Sequence, residues 1–103
     1  MSNRLTGLLD LHSKNPDDSF LNYGIALEYI SLKDYSKAEE YLKNLLTLDP
    51  SYVPAYMQYA QLKEKLEQIS EAKNLYRKGI EAAKKIGDKH AQKEMEEFLD
   101  ELD

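Results

Sequence analysis

Residues 19–50 read SFLNYGIALEYISLKDYSKAEEYLKNLLTLDP, and residues 53–84 read VPAYMQYAQLKEKLEQISEAKNLYRKGIEAAK. Laid one above the other, they pair Ala26 with Ala60, Leu32 with Leu66, Ser36 with Ser70 and Ala38 with Ala72, always 34 residues apart. Pro16 and Pro50 stand at the same interval, each behind a short polar residue, Asn15 or Asp49. Ile25 matches Tyr59, Leu42 matches Tyr76 and Leu46 matches Ile80 in class. A fixed period in the range of about 20–50 residues is the mark of stacked repeat units, none of which buries its apolar face alone.

Inside a unit the spacing is helical. Ala38, Tyr41, Leu42, Leu45, Leu46 and Leu48 recur at three- and four-residue steps, which gathers them into one stripe. Ser36 with Glu39 reads as a capping box that opens this helix, and Ser70 opens its counterpart. Asp49-Pro50 closes the first of the two, because proline disfavours helical geometry in the residue before it. Pro54 suits the first turn of the following helix, which runs to Leu66. Gly87 ends the helix that reaches Ile86, and Asp88 caps a last one through Leu102.

These residues resemble the tetratricopeptide repeat family, whose unit is a 34-residue helical hairpin. The first full unit carries its small residue in helix A (Ala26), an aromatic three residues on (Tyr29), a turn aromatic (Tyr35), a small residue early in helix B (Ala38) and the closing Pro50. The second shows Tyr56, Tyr59, Ala60, Ala72 and Tyr76 in matching places. Three positions depart: Asn22 stands where tryptophan is preferred, Lys63 replaces the helix A aromatic, and Lys84 replaces the proline, which lets the second helix B run longer. The resemblance implies an all-α superhelix, a solenoid of helical hairpins in a single domain. It divides into a half-unit at 1–16 with an apolar stripe of Leu5, Leu8, Leu9 and Leu11, repeats at 19–52 and 53–86, and a capping helix at 87–103. Ala26, Ala38, Ala60, Ala72 and Gly79 allow close helix approach, with Tyr29, Leu42, Tyr59 and Tyr76 filling the spaces beside them.

Composition narrows the function. The chain has 103 residues, 42% hydrophobic and 32% charged, with no cysteine, so thiol catalysis and thiolate metal sites are excluded. No apolar run approaches the roughly 20 residues of a membrane span and no leader pattern opens the chain, which points to a cytoplasmic protein. Met1 and the acidic ending favour a whole gene product over a piece of a longer array. Residues 1–62 carry net −3, residues 63–93 net +4 and residues 94–103 net −6, giving −5 for the chain. A negative chain repels phosphate backbones, and the basic block is interleaved with glutamates, so nucleic acid is not the expected partner. Lys73, Arg77 and Glu81, at four-residue steps, read as a solvated, paired helix face. His90 and Glu94 give two ligands where a metal needs three or four, and His12 beside Ser13 makes no nucleophile–base pair. Without a phosphate loop either, no catalytic residue, cofactor or metal is expected; the chain reads as a non-enzyme.

The informative stretch is residues 19–32, where only Ser19, Asn22, Glu28 and Ser31 are polar. Once Leu21, Ile25, Ala26, Tyr29 and Leu32 are assigned to packing, Phe20, Tyr23, Leu27 and Ile30 remain as a second apolar stripe. The family resemblance places such residues in a concave groove that holds peptides, and continues it through Met57, Gln58, Gln61 and Lys65. Three occupants suit the groove: a segment of another protein, a second copy in a homodimer, or the chain's own terminal helices. Family members that clamp chaperone C-terminal carboxylates use lysine and asparagine where this chain has Tyr23 and Leu27, with Gln58 for a further asparagine. That role is disfavoured. The expected work is non-catalytic protein–protein interaction as a scaffold or adaptor.

Overall fold

The computed structural model describes residues 3–103, which form six α-helices and, among the described residues, no strand. The helices fall into two compact units, Met1–Asp49 and Pro50–Asp103, of which Met1 and Ser2 lie outside the described residues. In the first, α1 (Asn3–Lys14) packs on α2 (Ser19–Ser31), and α2 on α3 (Tyr35–Leu48). In the second, α4 (Val53–Lys65) packs on α5 (Ile69–Ile86), and α5 on α6 (Lys89–Leu102).

The two hairpin turns have the same construction. After α2, Lys33 takes a left-handed conformation (φ 62°), its N–H bonds to the Ile30 carbonyl, and the Asp34 N–H reaches back to Tyr29. After α4, Glu67 (φ 60°) and Gln68 repeat the pattern onto Glu64 and Lys63. This Schellman geometry satisfies carbonyls that the helix end leaves open, normally with glycine at the left-handed position. Neither site carries glycine, so both hold a side chain in a region that disfavours one. Replacing both, Lys33→Gly/Glu67→Gly, is expected to raise stability by about 1 kcal/mol, or several degrees in Tm. An unchanged or lowered thermal midpoint by circular dichroism would show that the turns are not strained.

The same turns correct two helix starts. The Asp34 carboxylate caps α3 by accepting from the Lys37 N–H at 3.2 Å, so the helix begins before Ser36 and no Ser36–Glu39 capping box forms. The Schellman turn ends on Asp34, which leaves that residue in the cap position with the better acceptor. In the second hairpin the helix starts at Ile69 rather than at Ser70, with Gln68 as an N-cap that makes no side-chain cap bond. The other signals agree with the structure. Asp49 closes α3, Pro54 lies in the first turn of α4, left-handed Gly87 (φ 75°) ends α5, and Asp88 caps α6 at 3.0 Å.

Small residues set the packing. Ala26, Ala38, Ala60 and Ala72 are fully buried, and so are Leu42 in the first unit and Tyr76 in the second, with Tyr59 nearly so. A Cβ on Gly79 would stand 2.5 Å from Met95 Sδ and 2.7 Å from Tyr56 Cβ, so α5 touches α4 and α6 there through its backbone. Tyr76 is enclosed at 0% exposure, with its ring stacked on Phe98 and its hydroxyl donating to the Glu64 carboxylate. Burial first, then the hydrogen bond to Glu64 and the charges of Glu64 and Glu101, push its ionisation far above the ordinary tyrosine range.

In α1 the stripe is Leu5, Leu8 and Leu9, while Leu11 is 48% exposed. At 100° per residue, Leu11 lies roughly 120° around the helix from Leu5, whereas His12 lies within about 20° of it. The inward place therefore belongs to His12, whose ring meets Tyr41 edge-on at 5.5 Å; Tyr41 in turn stacks on Tyr29.

Candidate binding faces on α2 and α4

The residue that departs from the repeat pattern in α2 is the best fixed. Asn22 is fully buried, donates from Nδ2 to the carbonyls of Asp18 (2.9 Å) and Pro16 (3.1 Å), and accepts from Asn44 Nδ2 (3.2 Å). Where tryptophan would fill space, the amide ties the preceding turn to α2 and α3. It sets the roll of α2 and hence which residues are left outward.

Four of those residues share one side. Phe20, Tyr23, Leu27 and Ile30 fall within an arc of about 80° on α2. Phe20 is 71% exposed, and the other three are half-buried. α1 reaches α2 beside this arc: Leu8 lies against Gly24, and Arg4 pairs with Glu28 at 2.9 Å. The one acidic residue of α2 is thereby neutralised on its flank, which leaves the arc apolar. Sequence reasoning passed over Glu28 and Arg4; their opposite charges on adjoining helices were the available signal.

The corresponding face of α4 is more polar. Met57, Gln58 and Gln61 are half-buried and Lys65 is exposed. Glu64, on the same arc, is held by the Tyr76 hydroxyl. Because Tyr76 stays protonated, it donates to Glu64 throughout the neutral range. Lys63 points the other way at 8% exposure, and its ammonium meets Glu71 at 2.8 Å, Gln68 Oε1 at 2.7 Å and the Tyr59 ring at 5.7 Å. The lysine that displaces the helix A aromatic thus spans the hairpin, with its ammonium satisfied where the ring would end.

The charged face read as paired along α5 is arranged differently. Lys73 pairs with Asp103 (3.0 Å) and Glu81 with Lys84 (3.5 Å), because Lys73 and Arg77 carry the same sign and cannot pair. Arg77 and Glu81, which sequence reasoning took for solvated charge, line a cavity with Lys78 and Lys85, over Tyr56 and Ala82. Among the described residues, no three or more metal-ligating side chains converge, and no helix is long and apolar enough to cross a membrane.

A family model described as tetratricopeptide repeat matches residues 29–93, more than half the chain. The chain belongs to the tetratricopeptide repeat family. A TPR repeat-containing protein of Pseudomonas aeruginosa is 28% identical over 99 residues, which span 96% of this chain and 94% of that one. The solution structure of a tetratricopeptide repeat domain protein from Salinibacter ruber, 28% identical, covers 85% of this chain and 89% of that chain with a TM-score of 0.82. The TPR2B domain of yeast Sti1, in its complex with pHsp70, is 13% identical, covers 95% of this chain and 78% of its own, and has a TM-score of 0.88, a likeness of fold. The tetratricopeptide fold accounts for the 34-residue period and for the small residues between helices.

Proposed function

We propose that this chain is a non-catalytic protein-interaction module, built as a half-unit, two repeats and a capping helix. It binds a peptide or protein segment with an apolar anchor on the arc of Phe20, Tyr23, Leu27 and Ile30. Met57, Gln58, Gln61 and Lys65 form a separate, more polar face on α4 that offers a partner hydrogen bonds and charge. The observation that carries the reading is Phe20, a phenyl ring 71% exposed on a helix that is apolar nearly all round. Exposed apolar surface of this kind marks interaction sites on otherwise soluble folds. The complex of the Sti1 domain with pHsp70 supports protein binding as the use of the fold. The absence of the lysine and asparagine of the carboxylate clamp favours an apolar anchor over a chain terminus.

Each central anchor is expected to contribute about 1–4 kcal/mol, so Tyr23→Ala/Leu27→Ala weakens partner capture by about 30-fold or more. Phe20→Asp, at an exposed position, has the same direction of effect without loss of helicity. A pull-down from native lysate with wild type and variants in parallel, beside circular dichroism, tests this. Retention of every partner by a folded double variant would sink it. Sedimentation over a range of concentrations addresses the competing occupant: self-association through the same arc would be abolished by Phe20→Asp.

A further inference from the structure

The second unit contains a cavity of about 500 Å³ whose residues play no part in the α2 and α4 faces. Its lining is mostly apolar: Tyr56 and Ala82 form the floor and Pro50 one wall. The Tyr56 hydroxyl donates to the Pro50 carbonyl at 2.7 Å, so the floor offers a satisfied aromatic ring and a methyl group. The rim is cationic. Arg77, Lys78 and Lys85 are exposed, and among the described residues no carboxylate lies within ion-pair distance of any of them. Glu81, the one acidic residue of the lining, is offset by Lys84 at 3.5 Å. Three unmatched positive charges thus surround an apolar floor in a chain of net −5.

We propose that this cavity is a second binding site, which takes an acidic, extended peptide segment carrying one aromatic or large aliphatic side chain. The anchor sits over Tyr56 and Ala82, and carboxylates on either side meet Arg77, Lys78 and Lys85. From residue 77 to residue 85, α5 rises about 12 Å, the length of about four residues of extended chain. A compact anion would meet one end of that line only; a string of carboxylates meets all of it.

The chain has no tryptophan, so a tryptophan in the peptide reports on its own surroundings. The probe is an acetylated, amidated peptide of about seven residues, with tryptophan at its centre and acidic residues on both sides. Titrating it with the full chain is expected to give a saturable blue shift of its emission, weakened by raising salt from about 50 to about 300 mM. Arg77→Glu/Lys85→Glu, at exposed positions that leave the fold intact, is expected to weaken binding at least about tenfold. The same peptide with serine at its centre fails to compete. Phe20→Asp leaves the titration unchanged, which separates this site from the α2 face. The proposal is overturned by the absence of a saturable shift, by binding that survives the charge reversal, or by binding lost in Phe20→Asp. It is equally overturned if an oligothymidylate displaces the peptide at equal charge concentration, or if sedimentation shows that this surface is filled by a second copy.

Discussion

Tyr76→Ala is expected to destabilise the protein by about 3–5 kcal/mol, the range for truncating a fully buried large aromatic side chain. Three losses coincide. The ring leaves a cavity beside Phe98, on which it stacks. The hydroxyl no longer donates to Glu64, whose half-buried carboxylate is left without that partner. α5 also loses the side chain that fills the space beside Ala72 and Gly79. Against a total stability of about 5–15 kcal/mol for a domain, that is a large fraction of the folding margin. Urea denaturation followed by circular dichroism measures it, and a loss below about 1 kcal/mol would contradict the packing described. Tyr76→Phe isolates the hydroxyl and is expected to be about 1–2 kcal/mol less stable than wild type at neutral pH. That gap depends on pH in a definite direction. Folded Tyr76 ionises well above the ordinary value near 10, so its stabilisation is complete below about pH 10 and declines above it by up to about 1.4 kcal/mol per pH unit. The phenylalanine variant has no such site, so the gap narrows as the pH rises from 10 to 12. A gap that widened there would mean that Tyr76 ionises more easily in the folded state than in the unfolded chain.

The repeat was legible because its physics is local and periodic. Ala26, Ala38, Ala60 and Ala72 fall where two helices must approach, and any sequence that stacks such hairpins shows small residues there. The turns were less legible. Lys33 and Glu67 occupy left-handed positions with none of the glycine that would signal them, because the Schellman hydrogen bonds and the packed helices on either side hold the backbone there. With the turn unseen, the serine two residues beyond Asp34 looked like the cap. Leu11 was misplaced because a run of leucines suggests a stripe wider than one helix face, and His12 does not look like an inward residue. At the binding face, the apolar excess of α2 was visible in composition alone. The neutralisation of Glu28 by Arg4 was not, since it depends on how α1 lies against α2. The cationic cavity was invisible for a related reason: whether Arg77 and Lys85 have partners is decided by neighbours that sequence spacing does not specify.

Gly79→Val is expected to be nearly as damaging as the loss of Tyr76, at about 3 kcal/mol, for the opposite reason. A Cβ here has no room, with Met95 Sδ at 2.5 Å and Tyr56 Cβ at 2.7 Å. The two obstacles differ in kind. Met95 is flexible at its end and can turn aside, whereas the Cβ of Tyr56 moves only with the α4 backbone. Intrinsic helix preference runs the other way, since replacing a mid-helix glycine gains up to about 1 kcal/mol. Gly79→Ala therefore separates propensity from contact: in an open helix it would stabilise, and here it is expected to destabilise by about 1–2 kcal/mol. Adding Met95→Ala does not rescue it, because the Tyr56 obstacle remains and the fully buried Met95 leaves a cavity. Thermal melts of the two Gly79 variants and the double variant decide the matter. A stabilised Gly79→Ala would mean that α5 does not approach α4 this closely. In that case the floor of the cationic cavity, set by Tyr56 against Ala82 one turn further along, would lose its geometry as well.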